Sequence, residues 1–195
     1  MFETKTLIKL QEFTATPWVD VTGFLPVGGF VTGKIYCRLG RIVTTAFTAG
    51  VKFRVEFSPV ESGNEWYPEY TDTTQVGASV ADEAVSGTVL ANQNVIAMAS
   101  TTGFVVGDDV YIDNPTTAKS EFGKIKVVTV DTSVTLEDNL ENAQTGATVR
   151  DQAVVFAPIP VDLIGVKRLR VVVDGSGGGQ NFAAEAKFIG GGRWQ

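Results

Sequence analysis

The sequence predicts an all-β fold, a β-sandwich of jelly-roll or Ig-like type carrying an inserted small β-barrel, and three observations lead there. Apolar and charged residues alternate strictly from Val51 to Phe57, with Val51, Phe53, Val55 and Phe57 on one side and Lys52, Arg54 and Glu56 on the other. That period of two is the mark of a half-buried strand. No window repeats apolar residues at spacings of three and four over three turns, so an amphipathic helix has no pattern to form on. Gly, Pro, Asn, Ser and Thr interrupt the apolar runs at short intervals, at Pro26 to Gly29, Thr48 to Gly50, Ser58 to Asn64 and Gly175 to Gly179. Strands punctuated this often pack as a sandwich or a barrel.

Taken in order, Leu7, Ile8 and Leu10 mark a first strand, and Phe30 to Leu39, with Val31, Ile35 and Tyr36, a second. The alternating run to Phe57 follows. In the middle third, Val85 to Ala99 reads as one or two strands and Val105 to Ile112 as another. Lys124 to Val130 and Val134 to Leu136 then form a hairpin, and Ala147 to Arg150 a closing strand. Short helical turns fit Val161 to Gly165, while Pro158 and Pro160 before them suit an edge strand or a linker, because proline cannot donate to a sheet ladder. Residues 168 to 174 and 182 to 189 are the last strands, joined by a glycine-rich hairpin connection at Gly175 to Gly179. A phosphate-cradling loop would need a helix with Lys and Ser/Thr after those glycines, and a strand pattern follows instead.

Charge divides the chain. Residues 1 to 74 hold seven basic and eight acidic side chains, 75 to 150 four and ten, and 151 to 195 five and four, so the net charge of −6 resides in the middle. We read 75–150 as an acidic β-barrel-like domain inserted into a discontinuous sandwich of 1–74 and 151–195, with a sandwich strand ending near Tyr70 and resuming near Ala153 to Phe156. Two consecutive halves would leave the final strands without partners. Concentrated like charge favours projection of the insert into water.

With 195 residues the chain can bury roughly 70% of its unfolded surface and needs no covalent staples. The acidic balance argues against gripping nucleic acid, which needs a cationic face. Its densest basic cluster, Lys167, Arg168 and Arg170, reads as a solvated strand face. Cys37 stands alone, a small packed residue that supports neither an intrachain disulfide nor a cysteine zinc site. The start lacks a signal-peptide pattern and no apolar stretch approaches the ~20 residues of a membrane span, so the expectation is a protein made in a host cytoplasm without membrane association.

Histidine is absent, which removes Ser-His-Asp and Cys-His catalysis and the commonest general base near neutral pH. Paired carboxylates suffice for a glycosidase, and Glu56, Glu61, Glu65 and Glu69 qualify by type alone, without a cleft pattern around them. Asp108, Asp109 and Asp113 carry oxygen ligands suited to calcium, but Gly107 and Asp108 read better as a turn before a strand. The expectation is therefore no enzyme, no catalytic residues, no cofactor and no metal.

Phe104-Val-Val-Gly-Asp-Asp-Val-Tyr-Ile112, Glu121-Phe-Gly-Lys-Ile125, Val134-Thr-Leu-Glu-Asp-Asn-Leu140 and Ala143-Gln-Thr-Gly-Ala147 occur in that order. This succession resembles a small β-module of virion proteins, a barrel closed by successive hairpins with Gly107 and Gly146 at turns. Thr45-Ala-Phe-Thr-Ala-Gly-Val-Lys-Phe-Arg-Val-Glu-Phe57 with Gly63-Asn-Glu-Trp-Tyr-Pro68 is similar to sandwich domains of tailed-phage head decoration and related structural proteins. The resemblance covers about half of the chain. It implies a virion structural protein that decorates or cements a capsid, or belongs to the neck or tail, with the major capsid protein or other virion proteins as partners and homo-oligomerisation about a symmetry axis.

Partner contact is assigned to Trp66, Tyr67, Arg193 and Trp194, since aromatics and arginine dominate interface hot spots. Phe2 to Leu10 suits addition as an edge strand, and Gly190 to Trp194 suits a tether. Trp18, like Trp66, also fits core packing. A carbohydrate-binding module is the reading from another class, with Trp66, Tyr67 and Tyr70 as its stacking platform.

Overall fold

The computed structural model describes residues 2–13, 19–20, 25–27, 29–42, 51–73, 80–174 and 181–193. Trp18, Thr48 to Gly50, Gly175 to Gly179 and Trp194 lie outside the described residues, as does Thr45 to Gly50 of the sandwich-like stretch. The all-β expectation holds: among the described residues the one helical piece is a 3-10 turn at Thr117–Lys119. No described helix is long and apolar enough to cross a membrane.

The first part of the chain supplies β1 (Phe2–Phe13), β2 (Val19–Asp20), β3 (Leu25–Pro26), β4 (Phe30–Arg41), β5 (Lys52–Ser58) and β6 (Tyr67–Thr73). The middle supplies β7 (Asp82–Ala84), β8 (Thr88–Val89), β9 (Val95–Ala97), β10 (Asp109–Asp113), β11 (Glu121–Thr129), β12 (Ser133–Leu136), β13 (Gln144–Thr145) and β14 (Thr148–Arg150). The last part adds β15 (Val154–Val155), β16 (Ile159–Asp162), β17 (Arg168–Asp174) and β18 (Phe182–Arg193).

Two sheets mix the first and last parts. Sheet I runs β1-β18-β4, with β15 and β16 following one another along the far side of β4. Sheet II runs β2-β17-β5-β6, with β3 also on β17. Alternation decides which side chains meet between them: Ile35, Cys37 and Leu39 of β4 and Phe182, Ala184, Ala186 and Phe188 of β18 share a core with Phe53, Val55 and Phe57 of β5 and Leu169, Val171 and Val173 of β17. Gly33 and Gly190 stand opposite each other in sheet I, and a Cβ on either would come within 2.2 to 2.5 Å of an aromatic ring atom. Their missing side chains admit the edge-to-face pair Phe30–Phe188, with centroids 5.5 Å apart.

The middle segment builds its own core from Val85, Ile96, Phe104, Val110, Ile112, Ile125, Val134, Leu136 and Val149 among others. Six strands, in the order β7-β14-β10-β11-β12-β9, curl around it. The two edges meet where Val85 bridges Met98 and Ser86 donates to the Ala97 carbonyl at 2.8 Å, so the sheet closes on itself as a small barrel, with the β8–β13 ribbon beside it. Gly107 and Gly146 both sit at turns with positive φ, 96° and 65°.

The structure corrects several local expectations. Val161 to Gly165 is not helical: Ile159–Asp162 is an edge strand paired with Thr32 to Ile35, and the chain then turns at Gly165. The edge position accommodates Pro160, as its missing N–H requires. β17 and β18 do not form a hairpin, because they belong to sheets II and I respectively. β6 likewise ends in sheet II while β15 enters sheet I, so no single strand is interrupted between Tyr70 and Ala153. Finally, Val105 to Asp108 is a turn, and strand pairing begins at Asp109.

Candidate interaction surface

Of the residues that the sequence marked for contact, Trp66 lies on the outer face of sheet II, over a layer of charged side chains. Glu56 pairs with both Arg54 and Arg170, and only 3% of its side chain is exposed. Arg170 reaches it through Nε and Nη2, both at 2.7 Å. Arg168 is also buried: Nε donates to the Val60 carbonyl at 2.7 Å, and Nη2 donates to Ser58 Oγ at 3.1 Å and the Gly63 carbonyl at 2.9 Å. The expected solvated basic face is thus a bonded layer, because β5 and the loop after it bring acceptors to guanidinium donors. Lys167 alone of that cluster stays out in solvent, 4.0 Å from Glu61.

Trp66 covers this layer. Its ring lies 4.7 Å from the Arg168 guanidinium carbon and 4.2 Å from that of Arg170. Tyr67 is opposite Phe57, and Tyr70 is opposite Val55 with its ring 5.7 Å from that of Phe53. Opposed residues of an antiparallel pair project to the same side. The two tyrosines therefore belong to the core side of edge strand β6, and Trp66 to the outer side above Arg170. Tyr67 remains 58% exposed. Arg193 ends β18 with its backbone opposite Phe30.

Sheet I presents a different surface. One row crosses it as Pro160, Lys34, Ile189 and Thr4, the next pairs Tyr36 with Lys187, and a third holds Val155, Arg38 and Glu185. All project away from the core. A hollow of about 700 Å³ lies over Tyr36, Ile189 and Pro160, with Lys34 and Asp162 among its lining residues. A second, of about 440 Å³, lies between Arg38, Glu185 and Lys187 of sheet I and Thr117, Phe122 and Asp138 of the middle segment. A third, of about 180 Å³, shares Tyr36 and Ile189 with the first and Arg38, Glu185 and Lys187 with the second. The three form one groove, apolar at one end and walled by the acidic segment at the other. Within it Lys187 pairs with Glu185 at 2.7 Å, and the Arg38 guanidinium lies 6.0 Å above the Phe122 ring.

The carboxylates singled out in the sequence do not converge. Glu56 is held between arginines, while Glu61, Glu65 and Glu69 stand exposed. Asp108 Oδ2 accepts the Val105 N–H at 2.9 Å and so closes the turn expected there. Asp113 accepts from Arg150 Nε and Nη2 at 3.0 and 2.9 Å. Burial pushes the Asp109 carboxyl above its ordinary value. Among the described residues no three His, Cys, Asp or Glu side chains gather as a metal site. Cys37 is fully buried in the sandwich core, and desolvation raises its thiol pKa far above the ordinary value.

Sequence reasoning missed the groove. Lys34, Tyr36 and Arg38, like Glu185, Lys187 and Ile189, are the alternate positions of β4 and β18. Their shared period was the available signal, but Tyr36 and Ile189 resemble core residues until their register is known.

Fold and surface define an all-β protein in which, among the described residues, an open sheet face stands beside a closed barrel. No protein-family profile and no curated protein matches the sequence. Among solved structures, VP17, a capsid protein of bacteriophage P23-77, aligns over 96% of this chain and 98% of that one, at 10% identity and a TM-score of 0.17. An overlap that low carries no argument.

Proposed function

We propose that this chain is a non-enzymatic structural component of a tailed-phage virion, a capsid decoration or cement protein that works through contact area. The observation that carries the reading is the use made of the ionisable groups. Arg41, Glu56, Arg150 and Arg170 are all engaged in ion pairs that tie strands together, while the open groove among the described residues offers shape and apolar area. The sequence resemblance of the barrel hairpins to virion β-modules points the same way. Capsid or other virion proteins are the partners, and the chain acts as a homo-oligomer about a particle symmetry axis. Residues 75–150 form its inserted domain.

Quantitative mass spectrometry of purified particles tests this. A high, fixed copy number commensurate with the capsid lattice is expected; a handful of copies would move the protein to the neck or tail, and its absence from particles would overturn the proposal. Expression of residues 80–151 alone tests the insertion. A cooperative unfolding transition is expected, and a chain without one would remove that division.

A further inference from the structure

The two cores meet at a joint whose geometry assigns one residue a particular task. Arg41 is the last residue of β4 and is fully buried. Its Nη1 donates to Asp82 Oδ2 at 3.0 Å, and its Nη2 donates to Asp82 Oδ1 at 2.5 Å, to Asp151 Oδ1 at 2.9 Å and to the Ala81 carbonyl at 3.3 Å. Ala81 and Asp82 lie where the chain enters the barrel, and Asp151 where it leaves. The Asp151 N–H also donates to the Ala81 carbonyl at 3.0 Å, so the two crossings are bonded to each other as well as to Arg41. Arg150 extends the network, from Asp82 at 3.2 Å to Asp113 at 2.9 Å.

Apolar contact surrounds these charges. Tyr111 of β10 is fully buried against β4, and a Cβ added at Gly40 would sit 2.6 Å from its Cγ. Ala153 and Ala183 complete the cluster, flanked by Leu10, Ile42 and Phe122. A buried guanidinium bonded to both crossings resists rotation, because any swivel of the barrel breaks several charged hydrogen bonds away from water.

We propose that Arg41 is a positioning residue that locks the barrel to the sandwich and thereby presets the groove between sheet I and the barrel wall. Inter-domain contacts of modest size ordinarily permit relative motion. Here the joint suppresses it. The second hollow, bounded on one side by Arg38 and Lys187 and on the other by Phe122 and Asp138, keeps its width through a bond network on the far side of Tyr111.

Spin labels at Lys34→Cys and Asp138→Cys, both exposed, report the angle between sandwich and barrel, with buried Cys37 left unlabelled in the folded chain. A single narrow distance distribution is expected. Arg41→Met, which keeps length without charge, should at least double its width and raise hydrogen exchange of the Asp151 and Ala153 amides tenfold or more. Exchange at Val55 and Val134, one in each core, should stay protected and shows that both cores remain folded. A broad distribution in the unmodified joint, or a width and exchange that Arg41→Met leaves unchanged, would overturn the lock. Should Arg41→Met fail to fold, Asp82→Ala removes the carboxylate that takes both terminal nitrogens of Arg41, and an unchanged width there would equally overturn the lock.

Discussion

The two outer faces of the sandwich are built from similar materials and do opposite things. On sheet II, Glu56 pairs with Arg54 and Arg170 while Arg168 bonds Ser58 and the loop after β5, so the charges hold β5 to β17 beneath the Trp66 ring. On sheet I, Lys34, Tyr36, Lys187 and Ile189 line an open groove and have no such cover among the described residues. Residue type alone does not separate the faces, since both mix cations with aromatic or aliphatic side chains. What differs is whether a neighbouring loop brings complementary groups: Val60 and Gly63 deliver carbonyls and Trp66 its ring above β17, while among the described residues the outer side of sheet I is flanked by the barrel wall. The open face therefore stands beside Trp66 as a second candidate for partner contact.

The largest effect should come from Glu56→Ala on the closed face. It leaves Arg54 and Arg170 without their shared carboxylate, and removal of one partner from a buried charge cluster costs about 3 kcal/mol. Urea unfolding measures it, and a loss under about 1 kcal/mol would show that the layer is less coupled than its geometry indicates. Trp66→Ala should cost about 2 kcal/mol through two cation–π contacts, visible as a lower urea midpoint at an unchanged slope. If that variant instead kept its stability and lost occupancy on particles, the contrast between the faces would be reversed.

On the open face, Ile189→Asp should change stability by no more than about 1 kcal/mol, since Ile189 packs on the groove side and not in the core. Its occupancy on purified particles should fall at least tenfold if sheet I is the contact surface. Native thiol labelling of Cys37 on the inner side of β4 should stay slow in this variant, so a fast reaction would reveal a disturbed sheet.

The smallest effect is a pH slope at the joint. Burial raises the Asp151 carboxyl above its ordinary 3.8, against the pull of hydrogen bonding and the Arg41 charge. A folded value above the unfolded one means that the native chain binds the extra proton. That contribution to stability is full below pH 3.8 and is lost as pH rises through the folded value. Asp151→Asn keeps an acceptor for Arg41 and should flatten this part of the stability profile; an unchanged slope would place its origin elsewhere.

Where apolar and polar residues alternate along an element, the sequence made the element legible. Val51 to Phe57 and the hairpin of β11 and β12 show their period directly, and Gly107 and Gly146 announce their turns. Legibility failed where a charged residue was enclosed. Glu56, Arg41 and Arg168 carry the same letters as solvated residues, and segments distant in the chain supply partners that bury them. It failed again at β17 and β18, where a glycine-rich connection reads alike whether it joins neighbours or crosses between sheets.

Period and punctuation, then, determine by themselves that this chain folds as β-sheet and that its middle third is the acidic part, because both follow from residues near in sequence. Tertiary structure alone decides which outer face closes and which stays open, how the middle sheet shuts into a barrel, and that Arg41 fastens one body to the other. Those outcomes depend on side-chain contacts between residues as many as 114 positions apart, whose free energies are set by burial and bonding partners that no local window contains.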